Sequence, residues 1–156
     1  MRLAAFALAA LLSSTPAWAE LPVVANPNHE AMLASTDPQL AANKRLVYDF
    51  WREVFEARQL ERAAQYLHPD YKQHNPMVPT GLAGFQKAFA GAAPKPVQAR
   101  VQSPLVAIVA EGDLVVLSFV ATRQDAEGKP YTTTWFDQFR VQNGKITEHW
   151  DPALKR

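Results

Sequence analysis

Two β-rich runs on either side of Asn143 and Gly144 constrain this chain more than any other part of its sequence. Asn-Gly between such runs predicts a β-hairpin, because both residues tolerate the positive φ angles of a type I′ turn. Side chains of a strand point alternately to opposite faces, so Trp135, Asp137 and Phe139 share one face of the first strand. The sequence therefore places an acidic side chain between two aromatic ones on one side of a sheet.

This acidic side chain, Asp137, has two interpretations. In an apolar pocket, burial would raise the pKa of its carboxyl group and make it a usable proton carrier. On the sheet surface, it would instead pair with Arg140 or Arg123. The second strand of the hairpin adds His149 and Asp151 on one of its faces, so titratable groups are concentrated in this hairpin.

The first 19 residues have the pattern of a cleavable signal peptide. A positive charge at Arg2 precedes an apolar run over residues 3–12, and an A-x-A cleavage site follows at residues 17–19. The apolar run is shorter than the roughly 20 residues that a membrane-spanning helix needs. We expect cleavage after Ala19 and export to the periplasm or out of the cell, with no membrane anchor.

The rest of the chain has the size of one domain, with an extended lead expected over residues 20–36 and the domain itself over residues 37–156. There is no cysteine, which excludes a thiolate nucleophile, a thiolate metal site and a redox pair. The formal net charge is +1, and acidic and basic residues are interleaved. Without a basic block, the chain is not expected to bind nucleic acid or an anionic membrane.

The order of predicted elements indicates an α+β fold. Asp37 and Pro38 mark the start of an amphipathic helix of about five turns. A short second helix ends before Pro69, and a third covers residues 81–91. From residue 97 the hydrophobic period changes to two, which predicts strands over residues 97–110, 114–123, 131–142 and 145–151. Helices followed by an antiparallel meander predict helices packed on one face of a sheet.

The strand that begins at Leu114 is apolar at nearly every position as far as Ala121. Such a strand is expected to be covered on both faces. One layer of helices covers a single face of the sheet, so the other face needs a partner. A homodimer formed through the sheet is the simplest hypothesis.

Two motifs resemble a known family. The segment 71–76, YKQHNP, and the segment 139–151, FRVQNGKITEHWD, together with the order of helices and strands, are similar to SnoaL-like proteins of the nuclear transport factor 2-like superfamily. The resemblance covers residues 37–151. It implies a cone-shaped α+β barrel, in which a strongly bent, mainly antiparallel sheet wraps around the N-terminal helices and leaves a deep apolar pocket.

The resemblance also implies a chemistry. SnoaL-type polyketide cyclases close a ring by intramolecular aldol condensation, with an acidic residue as acid/base and without a metal or an organic cofactor. By motif, Asp137 matches the pocket-facing acid and His74 with Asn75 matches the polar group at the pocket mouth; His149 and Asp151 match the terminal motif. We expect Asp137 and His74 to be the catalytic pair. The expected substrate-binding residues are Tyr71, Asn75, Trp135, Phe139, His149 and Trp51.

Each of these residues also has a structural interpretation. His74 and Asn75 could form a turn before Pro76, His149 could be a packing residue, and the aromatic stripe that contains Trp51 could belong to the core. A metal site made of His74, His149, Asp137 and Asp151 is a further alternative, although no local ligand spacing supports it.

Three functions remain open from the sequence. The first is a cofactor-independent lyase or isomerase of the aldol type that acts on a small apolar or carbonyl-containing compound. The second is a periplasmic module that binds a small molecule without chemistry. The third is an interaction domain whose sheet face binds another protein. Fold alone does not choose among them.

Overall fold

The computed structural model describes residues 21–155, so the expected signal peptide lies outside the described residues. Within this range, helices pack on one face of a five-stranded sheet. The helices are α1 (His29–Leu33), α2 (Pro38–Phe50, continued by a π-helical turn over Trp51–Glu56), α3 (Ala63–Tyr66, after a 3₁₀ turn over Leu60–Arg62) and α4 (Leu82–Phe89). The strands are β1 (Leu67–Gln73), β2 (Leu105–Glu111), β3 (Leu114–Gln124), β4 (Pro130–Gln142) and β5 (Lys145–Trp150). None of the helices in residues 21–155 is long and apolar enough to cross a membrane.

The sheet has the strand order β1-β5-β4-β3-β2. β1 runs parallel to β5, and every other pair is antiparallel. Irregularities in the register of three strand pairs bend the sheet. The α+β class and the mainly antiparallel, curved sheet are therefore confirmed.

The start of α2 follows the sequence prediction. The Asp37 side chain accepts hydrogen bonds from the backbone N–H groups of Gln39 and Leu40, and Pro38 occupies the first turn. Along the helix and its π-helical turn, Val47 and Val54 are fully buried and form part of the core. These two residues of the apolar stripe are thus core.

The hairpin at Asn143 and Gly144 is also confirmed. Both residues have positive φ angles, 51° and 68°, which the type I′ turn requires. In β3, Val115 and Leu117 are buried against the helices, whereas Val116 on the opposite face is only half-buried. The helices therefore cover one face of this strand.

The structure differs from the sequence prediction at three places. Residues 67–73 form β1, although the sequence predicted the end of the second helix before Pro69 and no strand there. Its partner β5 lies more than 70 residues away, and the strand contains Pro69, which is compatible with its edge position. The strand expected over residues 97–110 begins only at Leu105, after Pro104. The expected extended lead contains α1, which buries Leu33 in the core.

Candidate functional site

A cavity of about 600 Å³ lies between the sheet and the helices. The ring of Trp51, from the π-helical turn, stacks on Phe119 of β3 with ring centres 4.7 Å apart. π-Helical turns recur at functional sites in helices, and this one contributes both Trp51 and Phe55 to the wall. The aromatic lining residues are Phe50, Trp51, Phe55, Tyr71, Phe85, Phe89, Phe119, Trp135 and Phe139.

Asp137 and His149 form a buried hydrogen-bonded pair in this wall. Asp137 Oδ1 lies 3.0 Å from Nε2 of His149, and less than a tenth of each side chain is exposed. A bulge in the β4–β5 ladder, between Arg140 and Val141, shifts the register so that His149 lies opposite Phe139. This shift brings His149 onto the face of the sheet that carries Asp137.

The second oxygen of Asp137 is buried and has no donor within hydrogen-bond distance in the described chain. Burial raises the pKa of the Asp137 carboxyl group, and the hydrogen bond and charge of His149 oppose the rise without cancelling it. The Trp135 side chain is also near enough to the carboxyl group to lower its pKa slightly. Asp137 thus contributes to the cavity wall a desolvated carboxyl group whose Oδ2 is buried in that wall.

Gln73 and Tyr71, both from β1, extend the cluster. Gln73 Oε1 lies 2.8 Å from Nδ1 of His149, and Gln73 Nε2 donates to the Tyr71 hydroxyl oxygen at 3.0 Å. Burial raises the pKa of Tyr71 far above its ordinary value, and the negative charges of Asp137 and Asp151 raise it further. Tyr71 is therefore neutral and keeps its hydroxyl proton at any ordinary pH.

Asn75 and Asp151 close the polar part of the wall. The Asn75 side-chain amide donates to Asp151 Oδ2 at 2.7 Å, and the Ala153 backbone N–H donates to Asp151 Oδ1 at 2.9 Å. The backbone N–H of Met77 donates to Asn75 Oδ1 and so fixes the orientation of that amide. Asp151 is thus held by two donors beside the acid/base pair.

The structure does not bring His74 to Asp137. His74 does not line the cavity; its Nε2 bonds Glu148 at 2.9 Å, and its ring stacks on Trp150 with centres 5.1 Å apart. About half of its side chain is exposed (47%). The expected pairing of Asp137 with His74 is corrected by this geometry, because alternation along β1 puts His74 on the face opposite Gln73. The residue that is hydrogen-bonded to Asp137 is His149.

The other residues expected from the sequence do line the cavity, namely Trp51, Tyr71, Asn75, Trp135, Phe139, Asp137 and His149. The sequence interpretation missed Gln73, which is the residue that connects β1 to His149. The signal that could have found it is its period-two relation to Tyr71, had residues 67–73 been assigned to a strand.

Three acidic or imidazole groups come close enough to share a cation. Asp137, His149 and Asp151 each offer a ligand atom within 4.8 Å of the others, whereas His74 is not part of the group. Both ring nitrogens of His149 already face hydrogen-bond partners, Asp137 and Gln73. A metal ion at this imidazole would have to displace one of them, so the geometry fits an acid/base cluster better than a metal site.

Comparison with known proteins identifies the type of domain. The sequence model of a family described as SnoaL-like domain matches residues 47–149. A proposed polyketide cyclase from Acidithiobacillus ferrooxidans is 21% identical, with a TM-score of 0.51 over 76% of this chain and 89% of that one. An NTF2-like protein of unknown function from Burkholderia pseudomallei is 18% identical, with a TM-score of 0.50 over 72% and 91% of the two chains. At these identities the likeness shows a shared fold. No curated protein matches this sequence.

Proposed function

The chain belongs to the SnoaL-like domain family, and from its cavity we propose that it catalyses proton transfer next to a carbonyl group, as a cofactor-independent lyase or isomerase of the aldol type. The observation that carries the proposal is Asp137 Oδ2, a buried carboxylate oxygen without a partner in the described chain. Such an atom costs stability unless a ligand uses it. A carboxyl group with a raised pKa is suited to exchanging protons with carbon acids.

The reaction begins with the removal of a proton from the carbon next to the substrate carbonyl. Asp137 Oδ2 accepts this proton while Oδ1 remains bonded to His149. Negative charge then develops on the carbonyl oxygen, and the Tyr71 hydroxyl, which donates to no acceptor in the described chain, supplies a hydrogen bond to it. In an aldol addition the enolate carbon then forms a C–C bond to a second carbonyl group of the substrate, whose C=O π bond breaks to give an alkoxide, and Asp137 returns the proton to that alkoxide. In an isomerisation Asp137 returns the proton to a different carbon of the enolate system.

The lining of the cavity limits the substrate class. Its walls are mainly apolar, and most of the apolar side chains are aromatic; the polar lining consists of the cluster around Asp137 together with Ser103, Thr122 and Arg123. A volume of about 600 Å³ is in the range of small-molecule sites. A mostly apolar, ring-containing carbonyl compound fits this description, in agreement with the description of the relative from Acidithiobacillus ferrooxidans as a proposed polyketide cyclase.

A second candidate function is binding without chemistry, which the same aromatic lining favours. Deuterium exchange separates the two. The mature protein is incubated in D₂O with α-tetralone, a bicyclic aromatic ketone, and incorporation of deuterium next to the carbonyl is followed by mass spectrometry. Exchange above the buffer rate that is abolished in Asp137→Asn supports proton transfer. Glu148→Gln is the matched control, because Glu148 is an acid on the other face of β5 and does not line the cavity.

If α-tetralone binds, as followed by quenching of tryptophan fluorescence, and yet exchanges no faster than in buffer, the binding module is the better description. Absence of both binding and exchange for a series of aromatic ketones would contradict the substrate class.

The signal-peptide pattern at residues 1–19 supports export to the periplasm or beyond as part of this proposal. A homodimer through the sheet is also proposed, since Val109 and Phe136 on the face away from the helices are 57% and 51% exposed. Sedimentation equilibrium tests it: the mature chain should be a dimer at micromolar concentration, and Phe136→Lys should shift it towards monomer. A wild-type chain that is monomeric throughout this range would contradict the dimer.

A further inference from the structure

From the hydrogen bonds around Gln73, we propose that this one side chain fixes the proton positions of both groups that flank the reacting carbonyl, the imidazole of His149 and the hydroxyl of Tyr71. Gln73 is in this view a positioning residue of the acid/base site, without contact to the reacting atoms. The inference rests on the proposed function for its catalytic meaning, but its hydrogen-bond content is testable without any substrate.

The orientation of the Gln73 amide follows from the backbone. The N–H of Asn75 donates to Gln73 Oε1 at 3.0 Å. A backbone N–H is always a donor, so the atom that it meets must be the oxygen, and the alternative orientation would set two donors against each other. The same oxygen faces His149, and the amide nitrogen faces Tyr71.

The tautomer of His149 then follows. Because Gln73 Oε1 is only an acceptor, the ring nitrogen Nδ1 that lies 2.8 Å from it must carry a proton. Asp151 Oδ2 is the nearest charged alternative, but it lies 4.0 Å from Nδ1, beyond hydrogen-bond distance. The neutral ring is therefore protonated at Nδ1, and its Nε2 presents a lone pair to Asp137.

This tautomer controls the pair of Asp137 and His149. One proton must lie between Nε2 and Oδ1, either on nitrogen as an imidazolium facing a carboxylate or on oxygen as a carboxylic acid facing an imidazole. If that proton left, two acceptors would face each other at 3.0 Å. The Nδ1 tautomer therefore makes the pair retain the shared proton, so that Asp137 Oδ2 is the atom that exchanges protons with a ligand.

Gln73 also determines the direction in which the Tyr71 hydroxyl can donate its proton. The amide nitrogen of Gln73 donates to the phenolic oxygen, so the proton of Tyr71 cannot point back at Gln73. Tyr71 lines the cavity, and its proton is free to be donated there. A glutamate at this position would still accept from His149, but it would also accept from Tyr71 and withdraw that donor from the cavity.

Two substitutions separate these effects. Gln73→Met removes the acceptor for His149, and Gln73→Glu keeps that acceptor while capturing the Tyr71 proton. Nitrogen-15 NMR of the histidine rings distinguishes protonated, pyrrole-type nitrogen from unprotonated, pyridine-type nitrogen. In the wild type we expect His149 Nδ1 to be pyrrole-type at every pH at which the protein is folded. Gln73→Met should convert Nδ1 of the neutral ring to pyridine-type, and Gln73→Glu should leave it pyrrole-type.

The effect of Gln73 on the Tyr71 hydroxyl is measured by the carbon-13 chemical shift of the Tyr71 Cζ atom. The shift should change in Gln73→Glu, where the hydroxyl donates to a carboxylate, and the α-tetralone exchange rate should fall by on the order of 10²-fold, the typical effect of losing an oxyanion donor. A pyridine-type Nδ1 in the wild type, a pyrrole-type Nδ1 in Gln73→Met, or an unchanged Cζ shift in Gln73→Glu would overturn the proposal.

These results are independent of the proposed function. If the NMR results are as expected but the wild type exchanges no deuterium, Gln73 positions the protons of a binding site, and the catalytic proposal alone fails. Unaltered amide spectra outside the cluster serve as the control that both variants keep the fold.

Discussion

Replacing Asp137 by asparagine should make the protein more stable at neutral pH while it removes the acid/base chemistry. Asparagine is nearly isosteric, and its amide N–H can donate to the lone pair of His149 Nε2, so the hydrogen bond that now joins the two side chains is kept. What disappears is the charge of a buried carboxylate whose Oδ2 has no partner in the described chain. An active-site residue that costs stability in this way is expected from the trade-off between stability and function.

The pH dependence follows from the direction of the pKa shift. Burial raises the pKa of Asp137 above its ordinary value of 3.8. Between the unfolded and the folded pKa, the native state holds a proton that the unfolded chain has already released, so wild-type stability falls as pH rises. Above the folded pKa the loss is constant. The stability gain of Asp137→Asn should therefore be absent below the unfolded pKa, grow as the pH rises through this window, and then level off.

The size of the effect follows from the charge that asparagine removes, because its own carbonyl oxygen still lacks a partner at the position of Oδ2. Burying a polar group without compensation costs about 1–3 kcal/mol, and more for a charged group. We expect a gain of about 1–3 kcal/mol at pH 7, or about 3 °C in Tm per kcal/mol for a domain of this size. Deuterium exchange should fall by about 10²–10⁴-fold, the usual contribution of a general base.

Urea unfolding at a series of pH values, followed by tryptophan fluorescence, measures the difference. Glu148→Gln is the control of opposite sign, because the hydrogen bond from His74 and then the one from Arg140 lower the pKa of Glu148. Removing the Glu148 carboxylate should reduce the free energy of unfolding at neutral pH, and this reduction should vanish as the pH falls through the folded pKa of Glu148. An Asp137→Asn protein that is less stable than the wild type at pH 7, or a difference that does not vary with pH, would refute the reasoning.

Three further predictions concern the assignment of the site and the packing. His74→Gln should keep the α-tetralone exchange rate within about twofold of the wild type, since His74 lies outside the cavity; a loss like that of Asp137→Asn would restore His74 to the catalytic pair. Gly84→Ala should lower the free energy of unfolding by about 1–3 kcal/mol, because its Cβ would lie 2.8 Å from the Pro79 carbonyl oxygen, whereas Gly91→Ala meets nothing within 4 Å and should be near neutral. Leu117→Ala, at a fully buried position, should lower the free energy of unfolding measured in urea by about 2–5 kcal/mol, whereas replacing an exposed apolar residue by alanine should lower it much less.

The elements that the sequence predicted are those with local causes. Asp37 and Pro38 define the start of α2 through contacts within one helical turn, and Asn143 with Gly144 defines the hairpin through two φ angles. β1 has no such local cause. Among the strands of residues 21–155 it pairs only with β5, in parallel and at a sheet edge, and Pro69 weakens the β-propensity of its sequence. Its existence depends on the rest of the sheet being formed.

The error about His74 has the same origin. Without a strand at residues 67–73, the alternation of faces cannot be applied to YKQHNP, and only the family resemblance places His74 at the pocket mouth. Once the strand is known, period two separates Tyr71 and Gln73, which line the cavity, from His74, which bonds Glu148. Gln73, which the sequence interpretation missed, and His74, which it paired with Asp137, are therefore adjacent in the sequence, with side chains on opposite faces of the sheet.

The pairing of His149 with Asp137 depends on one further feature that the sequence does not reveal. A regular hairpin continued from Gln142 and Lys145 would set His149 opposite Gln138, on the face away from Asp137. The bulge at Thr147 adds one residue to β5, so that Arg140 pairs with Glu148 and every later residue changes face. The acid/base pair thus exists because of a single extra residue in the ladder, and the same residue directs Glu148 outwards to His74. Propensity and turn chemistry fix where the hairpin begins, but the bulge decides which of its titratable groups face the cavity.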